Sequence, residues 1–403
     1  MVNIAVLGYG TVGSGVVEVL RTNQDSINKK AGEDINIKYV LDLRDFPGDV
    51  IQDKIVHDYD VILNDPEIKI VVEVMGGVEP AYTFVKKALL AGKSVCTSNK
   101  ELVAKHGPEL LDIAYEKEIN FLFEASCGGG IPIIRPLNSS LTADEIDEIT
   151  GILNGTTNYI LSKMSKEGLE FADVLKDAQE KGYAERNPEA DVEGYDACRK
   201  IAILSSLAFG NHVDFEDIYT EGITKISAQD ILYANFMHKA IKLLASSKRV
   251  NHKFFAMVAP FMISDEHPLY SVNDVFNGIF VHGNVLGDAM FYGSGAGKLP
   301  TASAVVADVV DAAKHKNKTI MTFWSSKKLE LASIQDAKRR FFVRIPKDKL
   351  SDAKEIFGND IEVICVPELK DECGFITNTV TEKEFEEYAG KLGNIISRIR
   401  MEG

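Results

Sequence analysis

The sequence lacks any long apolar run and any excess of basic charge. No uninterrupted apolar stretch approaches the ~20 residues that a membrane span needs. The formal net charge is -15, from 45 basic and 60 acidic side chains. This balance argues against nucleic acid or an anionic membrane as a partner, because both favour basic patches. Anionic ligands must therefore be bound locally, by backbone amides and helix ends.

Cysteine and histidine are also sparse, and neither shows the spacing of a metal site. The odd number of cysteines suits a reducing compartment; they are Cys96, Cys127, Cys198, Cys365 and Cys373. The eight histidines are scattered along the chain, so histidine-based chemistry finds no support. The apolar run at residues 2–7 leads directly into glycines and does not resemble a signal peptide. We therefore expect a cytoplasmic protein.

The first 131 residues alternate strand-like and helical patterns. The predicted strands cover residues 2–8, 37–42, 68–77, 93–100 with a loop, and 119–130, and the predicted helices cover 11–22, 80–91 and 101–118. Strands separated by helices imply right-handed βαβ units and a parallel sheet. The pattern predicts an α/β fold with a Rossmann-type, doubly wound sheet in a dinucleotide-binding domain at 1–131, completed by residues 295–325 or so.

The remainder of the chain predicts two further domains. Residues 132–294 mix strands and helices, including a strand at 146–153 and a helix entered through Asn-Gly-Thr-Thr, and form a predicted substrate-binding and dimerisation domain. Residues 338–403 follow the order β-α-β-β-α-β of a small ferredoxin-like, ACT-like sandwich. The pattern of this tail predicts its fold but says little about a ligand.

Three glycines form a candidate nucleotide site between the first strand and the first helix. Gly8, Gly10 and Gly13 fit G-x-G-x-x-G, in which they allow a tight turn, close approach to a pyrophosphate and close helix packing. An acid at the end of the second strand favours NAD, whereas a nearby arginine favours NADP. Asp42 therefore favours NAD, whereas Arg44 favours NADP. The choice of cofactor stays open, including use of both.

The segment from Gly182 to Lys200 concentrates acids around one lysine. Asp196 and Lys200 are spaced i and i+4, so they share a face if residues 195–209 are helical. Such a cluster is either a solvated ion pair or a site where carboxylates hold a substrate ammonium beside a proton-transferring lysine. The dinucleotide motif favours the second interpretation.

Six segments together resemble homoserine dehydrogenases that carry a C-terminal ACT-like extension. The segments are LGYGTVGSGV, TSNKELVAKHG, EASCGGGIPI, GILNGTTNYIL, GYAERNPEADVEGYDACRK and GDAMFYGSGAGKLPTASAVVAD. The resemblance implies NAD(P)-dependent interconversion of L-homoserine and L-aspartate 4-semialdehyde, the branch step towards threonine, methionine and isoleucine. It also implies a homodimer or a higher homo-oligomer.

The resemblance assigns residues to four roles. Lys200 corresponds to the proton-transferring lysine and Lys100 to a second active-site lysine. Substrate contacts correspond to Glu185, Asp191, Asp196, Gly155 and Thr156. Cofactor contacts correspond to Gly8, Tyr9, Gly10, Thr11, Val12, Gly13, Lys100, Gly182, Glu185 and Gly297. A monovalent cation, usually sodium, corresponds to a site at Glu124, Cys127, Gly129 and Ile131.

Two alternatives and one departure from the family pattern remain. Ala-Ser-Cys before the triple glycine allows an acylating semialdehyde dehydrogenase with Cys127 as nucleophile, and a non-catalytic dinucleotide-binding sensor is the other alternative. After its first strand the tail has Pro346, Lys347, Asp348 and Lys349, without the glycine that lets a loop close on an amino acid. We therefore expect weak or absent inhibition by threonine.

Overall fold

The structure, a computed structural model, describes residues 1–402 and begins with a parallel sheet flanked by helices. Its elements are β1 (Val2–Leu7), α1 (Thr11–Thr22), α2 (Gln24–Ala31), β2 (Ile35–Leu41), β3 (Ile55–Val56), α3 (Tyr59–Leu63), β4 (Ile68–Glu73), α4 (Ala81–Leu90), β5 (Ser94–Thr97), α5 (Lys100–Glu116) and β6 (Phe121–Leu122). The strand order is β3-β2-β1-β4-β5-β6, with parallel pairing throughout. The predicted Rossmann-type sheet is thus confirmed, and the order reverses between β1 and β4, where such folds bind ligands.

The strands of this sheet are apolar on both faces because helices cover both. Ile4, Ala5, Val6 and Leu7 are fully buried, as expected for a central parallel strand. Several predicted strands were too long, because apolar residues continue past the last pairing position. The strand predicted at 68–77 ends at Glu73, and the one predicted at 119–130 pairs only over Phe121–Leu122 before a 3₁₀ turn at Glu124–Ser126.

The middle of the chain forms an antiparallel sheet packed against helices. Its elements are β7 (Ile146–Ile152), α6 (Gly155–Glu167), α7 (Phe171–Glu180), α8 (Glu189–Val192), α9 (Tyr195–Phe209), β8 (Asn211–His212), β9 (Tyr219–Thr220), α10 (Ala228–Phe236), β10 (Lys239–Val250), β11 (Lys253–Ser264), β12 (Phe276–Gly283), β13 (Gly287–Ser294) and α11 (Lys298–Lys314). The order β13-β12-β7-β10-β11 is antiparallel. Helix α11 returns to the first sheet, where Ala302 and Val305 share a core with Ile4 and Val6.

The tail contains β14 (Ser325–Lys328), β15 (Lys338–Arg339), β16 (Phe341–Pro346), α12 (Leu350–Phe357), β17 (Glu362–Ile364), β18 (Glu372–Ile376), β19 (Val380–Thr381), α13 (Glu382–Leu392) and β20 (Ser397–Glu402). Apart from β14, which pairs with β8, and the short β15 and β19, the elements follow the predicted β-α-β-β-α-β order. Strand β17 has only three residues, because residues 365–371 form a connection and do not continue it.

The tail and the middle of the chain share one sheet. Strand β20 pairs in parallel with β11, with Phe261 opposite Arg400, and joins the tail order β20-β16-β18-β17 to the middle strands. The sequence did not predict this junction, because pairing between segments so far apart leaves no local pattern. No described helix is both long and apolar enough to cross a membrane.

Candidate active site

The glycine turn between β1 and α1 has the close packing that its motif predicts. Gly8 has a φ of +98°, a left-handed conformation that favours glycine. A Cβ on Gly13 would lie 1.9 Å from the carbonyl oxygen of Gly8, so only glycine lets the helix approach the strand this closely. Gly10 is the N-cap of α1, and Thr11 and Val12 form the first turn. The free amides of this turn face the end of the sheet where an anion would bind.

Asp42 and Arg44 contact each other beside this turn. Asp42 Oδ2 accepts a hydrogen bond from the Tyr9 amide at 2.9 Å. Arg44 Nε donates to Asp42 Oδ1 at 3.0 Å and Nη2 donates to Oδ2 at 3.1 Å. The hydrogen bond from Arg44 lowers the pKa of Asp42 to about 2. Asp42 therefore orients both the glycine turn and Arg44. This contact explains why the sequence contains both the acid that favours NAD and the arginine that favours NADP.

A buried network positions Lys100 at the carboxyl end of β5. Thr97 Oγ1 donates to Glu73 Oε2 at 2.6 Å and accepts from the Asn99 amide at 2.9 Å. Asn99 caps α5 by accepting from the Leu102 amide at 3.1 Å. Burial raises the pKa of Glu73. Sequence reasoning missed Glu73, whose only signal was an acid in an otherwise apolar strand.

Two lysines from different elements meet at Asp196. Lys100 Nζ lies 2.9 Å from Asp196 Oδ1, and Lys200 Nζ donates to Asp196 Oδ2 at 2.7 Å. Lys200 Nζ also donates to the Leu153 carbonyl at 2.8 Å. Helix α9 begins and ends at the predicted residues, so Asp196 and Lys200 do share a face. The cluster joins the dinucleotide-binding sheet, through Lys100, to the middle of the chain.

The charges of this cluster act strongly on one another because they are largely buried. Burial favours neutral Asp196, but the adjacent lysines outweigh it and hold its pKa below the ordinary value. The charge of Asp196 raises the pKa of Lys100, which therefore stays an ammonium group. Burial, together with the charge of Asp196, raises the pKa of Asp191.

Asn154 connects the two aspartates. Its Nδ2 donates to Asp191 Oδ1 at 2.7 Å and to Asp196 Oδ2 at 2.9 Å. Its Oδ1 accepts from the Thr157 amide at 2.9 Å and so caps α6. Asp191 lies within α8 and is not a helix cap. Sequence reasoning missed Asn154, although an asparagine before a helix is a common N-cap signal.

Other predicted substrate residues lie around the cluster without touching its lysines. Thr156 Oγ1 donates to the Tyr183 carbonyl at 2.6 Å. Gly155 begins α6 beside the Val275 carbonyl, which a Cβ would approach to 2.7 Å. Glu185 is exposed, and its carboxylate has no hydrogen bond or ion pair within residues 1–402. Gly182, with a φ of +74°, starts the turn that leads to Glu185.

The predicted cation residues form a tight loop against the start of α11. A Cβ on Gly129 would lie 2.3 Å from the Gly295 carbonyl oxygen, close to Gly297, which caps α11. The Glu124 carboxylate accepts from the amides of Ile133, Ile134 and Arg135 at 2.7, 2.8 and 2.8 Å. Among the described residues, no donor reaches the carbonyls of Cys127, Gly129 or Ile131. Three free carbonyls in one loop are suitable ligands for a hard cation.

Cys127 has the environment of a structural cysteine. Its side chain is fully buried and donates to the Lys200 carbonyl at a sulfur–oxygen distance of 3.8 Å. Burial raises the pKa of the Cys127 thiol to about 12. A reactive cysteine instead needs a lowered pKa and access to solvent. The geometry therefore argues against the acylating alternative.

Comparison with known proteins gives consistent matches. Residues 132–310 match the family model described as homoserine dehydrogenase, and residues 8–124 match the NAD-binding domain of homoserine dehydrogenase. A homoserine dehydrogenase from Synechocystis sp. is 47% identical over 77% of this chain and 73% of the relative.

Solved structures of homoserine dehydrogenases are similar to the chain as well. A homoserine dehydrogenase from Thiobacillus denitrificans superimposes with a TM-score of 0.92 and 35% identity, covering 100% of this chain and 98% of that one. A hyperthermophilic archaeal homoserine dehydrogenase in complex with NADPH has a TM-score of 0.65 and 28% identity, covering 77% of this chain and 97% of that one.

Proposed function

The chain belongs to the homoserine dehydrogenase family, and we propose that the ion cluster around Asp196 is the site where L-homoserine and L-aspartate 4-semialdehyde are interconverted. The observation that carries this proposal is the contact of one buried carboxylate with two lysines, one of them at the carboxyl end of the dinucleotide-binding sheet. Parallel sheets of this type bind substrate and cofactor at that end.

The cofactor in this proposal is NADP or NAD, which when bound would accept a hydride from the alcohol carbon and, in its reduced form, would donate one to the aldehyde carbon. The NAD-binding family model and the NADPH complex of the archaeal relative support a nicotinamide cofactor. Its phosphates would be held by Gly8, Tyr9, Gly10, Thr11, Val12 and Gly13, and Lys100, Gly182, Glu185 and Gly297 would contact it elsewhere. The Asp42–Arg44 pair would offer both a carboxylate and a guanidinium to the adenosine ribose, which supports use of both cofactors.

Lys200 transfers the proton. Its ammonium group donates to the developing alkoxide in the reductive direction, and its amine accepts the hydroxyl proton in the oxidative direction. Asp196 and the Leu153 carbonyl hold two of the three donor positions of Nζ, and the third is left for the substrate oxygen. Lys100 stays charged and stabilises negative charge on that oxygen.

The substrate ammonium binds the carboxylates. Asp191 is the best placed of them, since it is half-buried and neither lysine forms an ion pair with it. Asp196 adds charge, and Gly155 and Thr156 line the pocket. The Glu185 carboxylate is exposed in this structure, so it would join them only after its loop turns inward.

A monovalent cation, sodium in the family pattern, fits the loop that contains Cys127, Gly129 and Ile131. Their free carbonyls are the better ligands, because the Glu124 carboxylate already accepts three amides and contributes mainly its charge. The cation would fix the loop that packs on the start of α11 and would take no part in proton transfer.

Other features stay predictions. They are the three domain boundaries, the ACT-like nature of the tail, weak or absent inhibition by threonine, a homodimer or higher homo-oligomer, and a cytoplasmic location. The β20-β16-β18-β17 order supports the ferredoxin-like assignment of the tail.

The proposal is tested by incubating the protein with L-homoserine and either NAD or NADP at alkaline pH. We expect the reduced-nicotinamide absorbance to grow with at least one cofactor, and no growth with either would favour the sensor alternative. A Cys127→Ser variant serves as the second arm. Retained activity is expected, because the buried thiol has no role in proton transfer, whereas loss of activity in a folded variant would favour the acylating alternative.

A further inference from the structure

Asn154 occupies a position that links the proton-transferring end of the cluster to its substrate-binding end. It follows Leu153, whose carbonyl accepts from Lys200, and precedes α6. The side chain is buried, and its amide group uses both N–H donors on carboxylates, at 2.7 Å from Asp191 Oδ1 and 2.9 Å from Asp196 Oδ2.

Asp196 and Asp191 differ in the other groups that contact their carboxylates. Asp196 contacts Lys100, Lys200 and Asn154, so two cations and an amide fix its position. Within residues 1–402, the Asp191 carboxylate has one hydrogen-bond donor, the amide of Asn154. Two neighbouring carboxylates repel each other, and a donor group shared between them offsets part of that repulsion.

We propose that Asn154 is a positioning residue that holds Asp191 ionised and directed at the substrate ammonium. It acts through Asp191 and does not touch the reacting atoms. The inference rests on the proposed assignment of Asp191 to substrate binding and deepens it, because it identifies what sets that carboxylate in place. Loss of the amide group should therefore weaken homoserine binding far more than it slows the chemical step.

Asn154 also caps α6, and a test must separate that role from positioning. Serine at this position keeps a side-chain acceptor for the helix amides, since serine is as good an N-cap as asparagine. Its hydroxyl is shorter than the asparagine side chain and cannot reach both carboxylates. Asn154→Ser thus removes the bridge while preserving the cap.

The experiment is a double-mutant cycle with Asn154→Ser and Asp191→Asn, measured as kcat and KM for homoserine at saturating cofactor. In the wild-type background, Asn154→Ser should raise the KM for homoserine about tenfold, the effect of losing a hydrogen bond to a charged group. The kcat should change less than threefold, and the Tm should stay within a few degrees. In the Asp191→Asn background the same substitution should change KM less than about twofold, because the two residues act as one unit.

An equal rise in KM in both backgrounds would overturn the inference, as would an unchanged KM in Asn154→Ser. A lower Tm with unchanged KM would assign Asn154 to helix capping alone. Lys200→Met, assayed in parallel, separates this inference from the proposed function. If Lys200→Met is inactive while Asn154→Ser keeps its KM, only the inference fails; if Lys200→Met keeps full turnover, the assignment of the active site fails.

Discussion

Two buried ion clusters in this chain contain similar charged groups but serve different purposes. At the candidate active site, Asp196 holds two lysines, and a donor of Lys200 is left without a protein partner among the described residues. At the junction between the tail and the middle of the chain, Arg400 donates to Glu382 at 2.6 and 3.0 Å and to Glu221 at 2.6 Å. We call the first cluster open, because the Lys100 side chain is 36% exposed, and the second closed, because the side chains of Arg400 and Glu382 are 2% and 3% exposed.

The side chains explain this difference. Arginine presents a planar fork that matches carboxylates and stays charged, so it suits a permanent contact. Arg344 makes a second such contact at the junction, to Asp230 and Glu372 at 2.8 and 2.9 Å. Lysine has one mobile ammonium group that can gain or lose a proton. The type of cation and its exposure therefore distinguish the two clusters better than burial of the carboxylate alone does.

The largest expected effect is on the open cluster. Lys200→Met keeps the length of the side chain and removes the amine, so kcat for homoserine oxidation should fall about 10³-fold, within the range of general acid–base catalysis. Cofactor binding, followed by nicotinamide fluorescence, should change little because Lys200 lies on α9 and not on the glycine turn. A fall in kcat of tenfold or less would show that Lys200 is not the proton-transferring group.

The closed cluster should show the reverse behaviour. Arg400→Met leaves the buried Glu382 and the half-buried Glu221 without their main partner, so the free energy of unfolding should fall by about 3 kcal/mol. The kcat of the folded protein should stay within about twofold. Arg398→Met is the matched control, since Arg398 contacts the same Glu221 at 3.2 Å from a more exposed position and should cost less than about 1 kcal/mol. Equal destabilisation by both variants, measured by urea unfolding, would contradict the comparison.

The loss of thermal stability at acidic pH should also originate in the closed cluster. Burial opposes ionisation of Glu221, but Arg398 and Arg400 outweigh it and lower its pKa. A carboxyl pKa that is lowered in the folded state stabilises the protein at pH values above the ordinary carboxyl pKa. This stabilisation is lost as the pH falls through the folded-state pKa. We therefore expect Tm to fall with pH below about 4 and to fall less steeply in Glu221→Gln. An unchanged slope would exclude Glu221 as a source of acid sensitivity.

The smallest expected effect concerns the cofactor. Arg44→Ala removes the guanidinium that is proposed to face the adenosine ribose and should raise the KM for NADP about fivefold, equivalent to one exposed charge contact. The KM for NAD should change less than twofold, because the Tyr9 amide still orients Asp42, the proposed acceptor for the ribose 2′-hydroxyl. An equal change for both cofactors would show that Arg44 supports the glycine turn and does not select the cofactor.

Local patterns predicted the parts of the site that lie within one segment. The glycine turn and α9 were predicted because their residues are two to four apart in sequence, which fixes their geometry. Asn154 and Glu73 were missed because their partners, Asp191 and Thr97, lie on other elements. The β11–β20 pairing was missed for the same reason. Glu185, which the family motif assigns to substrate and cofactor contacts, is exposed in this structure, and that assignment stays a prediction.

Chemical rescue of Lys200→Ala by small primary amines tests the central assignment most directly. The variant should be nearly inactive, and methylamine or ethylamine should restore homoserine oxidation in proportion to concentration, because a free amine can occupy the vacated volume and accept the hydroxyl proton. Trimethylamine, which is bulkier, should restore less. A Lys200→Ala enzyme that turns over at the parental rate, or an inactive one that no amine restores, would contradict the account.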